Sequence, residues 1–170
     1  MAATAEKLSI ADFERQYGDA KPYHEYWFGE AVSKAMPTWL HGLLQRIIMT
    51  ALCEAGYKSG SEVKLKISSD FEPVPDVIAT AGRIERPYPT KPVDVVVEIL
   101  SPEDSFQRVL RKCKLYSAWG IPIVVVLDPE GREGWIWEDH TLKSTAVIAL
   151  EDGRSISLGR VFQELDTALE

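Results

Sequence analysis

This chain of 170 residues is 45% hydrophobic and 26% charged, ordinary values that predict one compact domain over residues 1–170. Nineteen Lys and Arg against 26 Asp and Glu give a net charge of −7, which excludes a protein that coats DNA through a strongly basic surface. The two cysteines lack CxxC spacing, and no segment reaches the roughly 18 apolar residues of a membrane span. The composition therefore predicts a soluble, unprocessed protein of the reducing cytoplasm, with no membrane contact.

The first part of the chain is predicted to contain a short helix, a hairpin and a long helix. Residues 1–20 form the predicted N-terminal extension, with one or two helical turns in IADFERQYG. Aromatic and polar residues then interleave on both sides of Gly29, as in a β-hairpin. Thr38 is placed to cap a helix whose apolar residues recur at helical spacing, and Gly56 is placed to end it. This helix opens the predicted core, residues 38–128.

Four segments of the core are predicted as strands. The first, residues 61–67, alternates strictly between apolar and polar residues, which places Glu62, Lys64 and Lys66 towards water. The second has the sequence VPDVIA. The third and fourth, VDVVVEIL and IPIVVVLDP, are apolar at nearly every position, as in strands that are buried on both faces.

A helix is predicted between the last two of these strands. Ser101 is its predicted N-cap, followed by Pro102 at the first helical position and by Asp104 as the acid of a capping box. The helix is predicted over residues 102–119 and is ended by Gly120. A buried strand, a helix and another buried strand in succession predict a parallel strand pair with a right-handed crossover.

The C-terminal part, residues 129–170, is predicted as an antiparallel extension. Strand-like segments around WIWED and TAVIAL are separated by turns and followed by a short helix at GRVFQEL. The core order is helix, strand, strand, strand, helix, strand, and it carries the N-terminal hairpin and this extension. That order predicts an α/β domain of three layers.

One acidic residue, Glu98, interrupts the most apolar strand. A buried carboxylate without a partner is costly, so this side chain pairs with a core Arg or Lys, lies at an exposed strand end, or belongs to a metal or catalytic site. Asp94 shares its face of the strand but is nearer the solvent end. Asp76, at the start of the preceding strand, is by itself typical of a turn or cap. Together, Asp76 and Glu98 can hold one hard cation through oxygen ligands.

The helix after Glu98 is basic, and its positive residues are Arg108, Arg111, Lys112 and Lys114. At about 100° per residue, Arg108 and Lys112 flank the apolar stripe, whereas Arg111 points away from it. The stem of Lys112 can therefore follow the core edge and bring its ammonium towards the carboxylates. The alternative is a solvated basic face, which most charge runs form.

The remaining polar candidates lie in the N-terminal part. Glu25 and Glu30 flank the turn at Gly29, and His41 lies off the apolar stripe near the start of the long helix. A lone histidine in such a place is commonly a surface or packing residue. The chain lacks the GxSxG, HExxH, P-loop and GxGxxG motifs, and three histidines argue against a polyhistidine metal centre.

Taken together, these motifs resemble the Uma-type family of candidate restriction endonucleases, a branch of the PD-(D/E)XK nuclease superfamily. The family pattern has Pro-Asp, then Glu-x-x-Ser-Pro at the end of an apolar strand, Lys-x-x-x-Tyr in the next helix, Gly-Ile before another apolar strand, and Asp-Pro after it. The matching residues are Pro75-Asp76, Glu98 with Ser101-Pro102, Lys112 with Tyr116, Gly120-Ile121, Asp128-Pro129 and, in the N-terminal part, Glu25, Gly29-Glu30 and His41. The resemblance covers the chain from Tyr23 to Phe162.

The resemblance implies a restriction-endonuclease-like α/β/α fold with a mixed central sheet. It also implies that Asp76 and Glu98 hold Mg²⁺, with Mn²⁺ as a substitute, and that Lys112 orients the attacking water or offsets developing charge. In many superfamily members the lysine lies two residues after the glutamate, where this chain has Leu100. Glu25 and His41 are additional candidates for the same site.

The basic edge formed by Arg108, Arg111 and Lys114 is predicted to contact nucleic acid through phosphates. It departs from the family pattern, in which acidic residues are common at the first two of these positions. The leading hypothesis is a Mg²⁺-dependent DNA endonuclease that engages DNA weakly or transiently, with a homodimer suited to cutting both strands. The alternatives are a catalytically inactive nuclease-fold module that binds nucleic acid or a protein partner, and a small-molecule hydrolase with the same metal site. The enzyme hypotheses require the Lys112 amine to reach the carboxylates.

Overall fold

A computed structural model describes residues 7–170; the first six residues of the predicted N-terminal extension lie outside the described part. In chain order the elements are α1 (Ile10–Tyr17), β1 (His24–Trp27), β2 (Glu30–Ser33), α2 (Trp39–Glu54), β3 (Lys58–Ser61), β4 (Phe71–Glu72), β5 (Val77–Thr80), β6 (Val95–Ile99), α3 (Phe106–Trp119), β7 (Ile123–Asp128), β8 (Glu133–Glu138), β9 (Thr141–Ser144), β10 (Val147–Ala149), β11 (Ser155–Ser157) and α4 (Leu158–Leu169).

The central sheet has six strands in the order β3-β5-β6-β7-β8-β9. Its strands β6 and β7 run parallel and are joined by α3, whereas the other neighbouring pairs are antiparallel. The mixed sheet and the strand–helix–strand unit are therefore confirmed. The apolar runs that predicted β6 and β7 arise from burial of both strand faces. Every residue of β6 and every residue of β7 except the last is buried.

Helices cover both faces of this sheet. On one face, α2 and α4 pack against alternate residues of β5, β6 and β7, and Leu44, Ile48 and Leu165 are fully buried there. On the other face, α3 contributes Val109, Cys113 and Tyr116 to a second apolar cluster. The three-layer α/β/α arrangement is confirmed, and the burial of two sheet faces explains why so few polar residues interrupt the strands.

The N-terminal hairpin is also confirmed, as β1 and β2. The two residues between its strands, Phe28 and Gly29, both have positive φ (50° and 95°), the backbone geometry of a tight two-residue hairpin turn. The short strand β4 pairs with the other edge of β1, so the hairpin belongs to a separate three-stranded sheet. This small sheet lies beside α3, since Trp27 and Phe71 belong to the same apolar cluster as that helix.

The strand predicted over residues 61–67 is wrong beyond Ser61. The sheet strand in this region is β3, which ends at Ser61, and the next residue, Glu62, has a positive φ of 56° that turns the chain away from the sheet. Beyond it, Leu65 is fully buried and Lys64 is only 9% exposed, contrary to the expectation that Lys64 faces water. The alternation in this segment reflects packing of a loop against α1 and β4 rather than strand pairing.

The predicted start of α3 is also wrong. The helix begins at Phe106, with Ser105 in the N-cap position, four residues later than the sequence indicates. Asp104 accepts a hydrogen bond from the Ser101 N–H at 2.7 Å, and the Asp104 N–H donates to the Ser101 carbonyl at 3.0 Å, so these residues close a turn of their own. Such local side-chain to backbone bonds compete with the first helical turn. The predicted end at Gly120 is confirmed, with a left-handed φ of 109°.

The C-terminal extension contains the predicted strands, but they belong to two sheets. Strands β8 and β9 extend the central sheet, whereas β10, in the TAVIAL segment, pairs with β11 in a separate two-stranded sheet. The closing helix is α4, capped by Ser157, whose hydroxyl accepts from the Arg160 N–H. Within residues 7–170, no helix combines the length and the apolar character needed to cross a membrane.

Candidate active site

The two carboxylates predicted to hold a cation meet at one end of the central sheet. Asp76 directly precedes β5 and Glu98 lies in β6; these strands are antiparallel neighbours in which Val77 pairs with Val97. Both carboxylates are buried, at 3% and 6% exposure. The Asp76 Oδ2 atom accepts a hydrogen bond from the Ile99 N–H at 2.7 Å, which fixes its position beside β6. The structure therefore brings Asp76 and Glu98 into one site.

Lys112 reaches this site from α3. Its Nζ atom lies 2.7 Å from Glu98 Oε1 and 2.8 Å from Glu25 Oε1, and its side chain is only 6% exposed. The stem follows the core edge, as the helical spacing predicts, so the alternative of a solvated basic face is wrong for this residue. The condition that the enzyme hypotheses set for the Lys112 amine is met at Glu98.

Glu25, from β1, is held by three donors. Its Oε1 atom accepts from the Val74 N–H at 2.9 Å as well as from Lys112, and its Oε2 atom accepts from the Trp27 indole N–H at 3.0 Å. Glu98 has a further partner in Tyr116, whose hydroxyl donates to Glu98 Oε1 at 2.6 Å. The hairpin and α3 are therefore joined through Lys112, which lies between two buried carboxylates.

The other carboxylate oxygen of Asp76, Oδ1, lies close to two further basic side chains, Lys34 and His41. The Lys34 ammonium lies 2.9 Å from Asp76 Oδ1 and 2.9 Å from Glu62 Oε2, and it donates to the Val74 carbonyl at 2.6 Å. His41 Nε2 lies 3.5 Å from the same Asp76 oxygen. The predicted candidate His41 is therefore in the site, where it is buried and contacts Asp76.

The sequence analysis missed Lys34, Glu62 and Gln45. Gln45, one helical turn after His41, donates to Glu62 Oε1 at 3.2 Å and to the Asp76 carbonyl at 2.8 Å, and so ties α2 to the ends of β3 and β5. Lys34 follows β2 and carries no local signal of its role. The i, i+4 spacing of His41 and Gln45 is the one pattern that could have indicated a second polar position facing the sheet.

Other candidates lie outside this cluster. Asp94 is at the opposite end of β6, where it accepts from the Thr80 hydroxyl and the Ala81 N–H. Arg108 lines the cleft above Glu98, whereas Arg111 places its guanidinium 4.7 Å from the centre of the Phe28 ring. Lys114 is exposed on α3. Of the three predicted phosphate contacts, only Arg108 lies directly at the cleft.

Comparison with known proteins agrees with this architecture. The family described as "Uma2: Putative restriction endonuclease" matches residues 10–170, nearly the whole chain. The protein belongs to the Uma2 family. This result confirms the resemblance based on the Pro-Asp, Glu-x-x-Ser-Pro and Lys-x-x-x-Tyr motifs. No curated protein sequence matches the chain.

One solved structure similar to this Uma2 protein is described as "a putative nuclease belonging to DUF820 from Anabaena variabilis". It superposes with a TM-score of 0.77 at 18% sequence identity, covering 93% of this chain and 99% of that chain. At this identity the likeness establishes the fold. The family and the nuclease-like fold together support a nuclease, an enzyme class that acts on nucleic acid.

The donor set in the cleft of this Uma2 protein fits a divalent cation. The cleft has a volume of about 50 Å³ and is lined by Glu25, Lys34, Asp76, Glu98 and Lys112, among others. Four carboxylates, including that of Glu62, face two ammonium groups, which leaves a formal excess of two negative charges when Glu98 is ionised and His41 is neutral. Carboxylate oxygens are the ligands that Mg²⁺ prefers, so charge and chemistry agree.

The environment shifts the pKa values of the two carboxylates in opposite directions. Burial raises the pKa of Glu98 to about 7, although the charge of Lys112 opposes the shift, and the nearby Asp76 carboxylate raises it further. Burial also acts to raise the pKa of Asp76, but the charge of Lys34 and the hydrogen bond from His41 hold it well below its ordinary value. At neutral pH Asp76 is therefore ionised, and Glu98 is close to its midpoint.

The raised pKa of Glu98 predicts a pH-dependent effect of Glu98→Gln. The folded protein favours protonated Glu98, so this stabilisation is fully present below about pH 4.5 and is lost as the pH rises through about 7. Because glutamine stays neutral, the variant should gain stability relative to the wild type between about pH 5 and pH 8, by at most ~3 kcal/mol. Urea unfolding in EDTA measures this difference. Glu133→Gln, an exposed control, should show no such trend, and a constant difference for Glu98→Gln would contradict the prediction.

Proposed function

We propose that this Uma2 protein is a Mg²⁺-dependent endonuclease that hydrolyses DNA phosphodiester bonds. The observation that supports the proposal is the convergence of Asp76, Glu98 and Lys112 in one buried cleft at the end of β5 and β6. Three charged side chains from separate elements are rarely buried together without a role, because each loses hydration that only its partners replace.

In this proposal Asp76 and Glu98 hold the ion, and Mn²⁺ substitutes for Mg²⁺ because both accept oxygen ligands. The bound ion would supply a Lewis acid that polarises the phosphate and lowers the pKa of a water. Lys112 would hold a positive charge beside Glu98 and donate a hydrogen bond to the attacking water or to the phosphate. Glu25 would position the Lys112 ammonium, since its own oxygens are already fixed by Val74 and Trp27.

The substrate proposed for this site is DNA. Arg108 at the cleft and the exposed Arg111 and Lys114 on the same helix present positive charge for backbone phosphates. The net charge of −7 predicts weak or transient engagement rather than tight coating. A homodimer would bring one site to each strand, and unpaired Cys53 and Cys113 agree with a cytoplasmic setting.

The proposal is tested by metal titration calorimetry together with a plasmid-nicking assay in Mg²⁺ and in Mn²⁺. The wild type should bind Mg²⁺ and nick supercoiled DNA. Glu98→Ala should weaken Mg²⁺ binding by at least about tenfold and should abolish nicking. Mutation of residues that only hydrogen-bond to metal ligands already lowers metal affinity by about tenfold or more, so the loss of a ligand should cost at least as much. Glu103→Ala, an exposed neighbour, is the matched control and should behave as the wild type.

The other outcomes separate the alternatives. Unchanged Mg²⁺ affinity in Glu98→Ala would remove Glu98 from the site. Metal binding by the wild type without nicking would favour the catalytically inactive module that binds nucleic acid or a protein partner. Cleavage of a small phosphodiester such as bis(p-nitrophenyl) phosphate without any cleavage of plasmid would favour the small-molecule hydrolase.

A further inference from the structure

A second, larger cleft lies on the same face of the central sheet as the candidate site. It has a volume of about 1300 Å³ and is lined by β3, by β5 and by the loop of residues 81–92 that follows β5. Ile78 of β5 lines it and belongs to the apolar cluster that α3 covers. Lys112 approaches Glu98 from that same helix, so the cleft and the site share one face of the sheet.

The rim of this cleft is positively charged, although the chain has a net charge of −7. Its lining residues include four cations and one anion, an excess of three positive charges. The cations are Lys58, Arg83, Arg86 and Lys91, and all four are exposed. Within residues 7–170 none of the four forms an ion pair with a carboxylate, and Lys58 donates instead to the Gly82 carbonyl at 2.6 Å. The rim therefore carries positive charge without a paired carboxylate.

The single anion of the cleft, Glu85, holds the loop in shape. Its carboxylate accepts hydrogen bonds from the Thr90 N–H at 2.8 Å and from the Lys91 N–H at 3.2 Å. The loop is also tied to an earlier segment of the chain, because the Lys66 N–H donates to the Pro89 carbonyl at 2.9 Å. The arginines of the rim therefore extend from a backbone that is already ordered, which lowers the entropy cost of binding a ligand.

The cleft lies close enough to the candidate site for one nucleic acid to contact both. Glu62 contacts Lys34 in the site, whereas the next residue, Val63, lines the cleft. Asp76 precedes β5 and Thr80 ends it, and four residues of strand span about 13 Å. Each strand of duplex DNA carries one phosphate per about 3.4 Å of helix axis, so about four phosphates separate the two positions. The spacing fits a DNA backbone that continues from one to the other.

We propose that this cleft binds the phosphate backbone of duplex DNA beside the bond that the candidate site cuts, through Arg83, Arg86 and Lys91. Such contacts position DNA without reading its sequence. They are separate from the basic edge of α3 at Arg108, which lines the candidate site itself. An acidic protein would meet the same charge, but the shared sheet face and the phosphate spacing favour DNA. The inference rests on the proposed function for the identity of its ligand, and it is tested by binding in the absence of cleavage.

The test measures affinity for a short fluorescent DNA duplex of mixed sequence, by anisotropy in EDTA, which withholds the metal that cleavage requires. Arg83→Gln/Arg86→Gln should bind the duplex at least about tenfold more weakly than the wild type at physiological salt. The slope of log affinity against log salt should also fall by about 1.8, which is about 0.9 for each lost phosphate contact. Arg83→Lys/Arg86→Lys keeps both charges and should keep the wild-type slope. Equal affinity of the glutamine variant and the wild type, or no duplex binding by the wild type, would overturn the proposal.

A matched pair of arginines separates the effect of the cleft from that of net charge. Arg46 and Arg160 are exposed on α2 and α4, the helices that cover the opposite face of the sheet. Arg46→Gln/Arg160→Gln removes the same charge as the cleft variant and should bind DNA as the wild type does. An equal loss of affinity in this control would show that overall charge, and not the cleft, determines binding. If the cleft variant folds poorly, Lys91→Gln alone should lower the salt slope by about 0.9, and an unchanged slope would count against the proposal.

Binding and nicking measured together separate this inference from the nuclease function. If the wild type nicks plasmid DNA and the cleft variant keeps full DNA affinity, the cleft is not a DNA-binding surface and the nuclease proposal stands. If the wild type binds duplex DNA through Arg83 and Arg86 but never nicks it, the cleft proposal stands and the nuclease proposal is wrong.

Discussion

Lys112→Met is expected to lower the free energy of unfolding by about 3–5 kcal/mol at neutral pH, the cost of removing one member of a buried ion pair. Methionine fills the volume of the stem but leaves Glu25 and Glu98 buried without their shared cation. Burial already raises the pKa of Glu98 to about 7, so near pH 5 this carboxyl is protonated and leaves no unpaired charge when Lys112 is removed. The loss should therefore be larger near pH 8 than near pH 5, as measured by urea unfolding.

Two variants make this prediction specific. Lys114→Met changes an exposed lysine of the same helix and should alter stability by less than about 0.5 kcal/mol. In Lys112→Met/Glu25→Gln one of the two carboxylates is neutral, so part of the lost stability should return. If the double variant is no more stable than the single one, the buried charge of Glu25 is not the cause of the loss.

Asp76→Asn is expected to reduce nicking by roughly 10³-fold, which corresponds to the several kcal/mol of charge stabilisation that a bound metal supplies. Its effect on stability has the opposite pH trend to that of Glu98. Since Lys34 and His41 hold the pKa of Asp76 well below its ordinary value despite burial, ionised Asp76 stabilises the fold. This contribution is present above about pH 4 and is lost as the pH falls towards the lowered pKa.

The asparagine variant should therefore be less stable than the wild type at pH 7, and the difference should shrink under acid conditions. Denaturant unfolding over a pH series checks the trend, and single-turnover nicking checks the catalytic effect. Asp94→Asn is the matched control, because Asp94 also lies beside β5 and β6 but at their other end. If Asp94→Asn reduces nicking as strongly as Asp76→Asn does, the loss comes from a disturbed sheet rather than from the site.

The parts of this fold that local sequence determines were predictable. Strands β6 and β7 are apolar at nearly every position because both of their faces are covered, and that burial makes Glu98 conspicuous. Asp76 and Lys112 were less conspicuous, because by themselves they are typical of a cap and of a solvated basic face, and the family resemblance placed them in the site. For β6 and β7, the apolar sequence pattern and the contacts in the structure have the same cause, which is the burial of both faces of each strand.

The remaining parts depend on contacts between distant segments, which a local pattern does not record. Glu62 appears as the polar face of a strand, but its left-handed backbone takes the chain out of the sheet and towards Lys34. Ser101 and Asp104 have the residue types of a helix cap, yet their own hydrogen bonds close a separate turn. In both segments two local structures were compatible with the sequence. Contacts with Lys34 and Asp76 fix the first, and local side-chain to backbone bonds fix the second.

The contact between Glu25 and Lys112 joins residues 87 positions apart. During synthesis, therefore, the hairpin leaves the ribosome long before the helix that neutralises its carboxylate exists. Closing so large a loop costs entropy before the ion pair returns any stability, so the site should form late in folding. A partly made chain would contain Glu25, Asp76 and Glu98 but would lack Lys112, which lies between Glu25 and Glu98 in the complete fold. For a protein proposed to cut DNA, this order of assembly would confine cleavage to chains that have completed their fold.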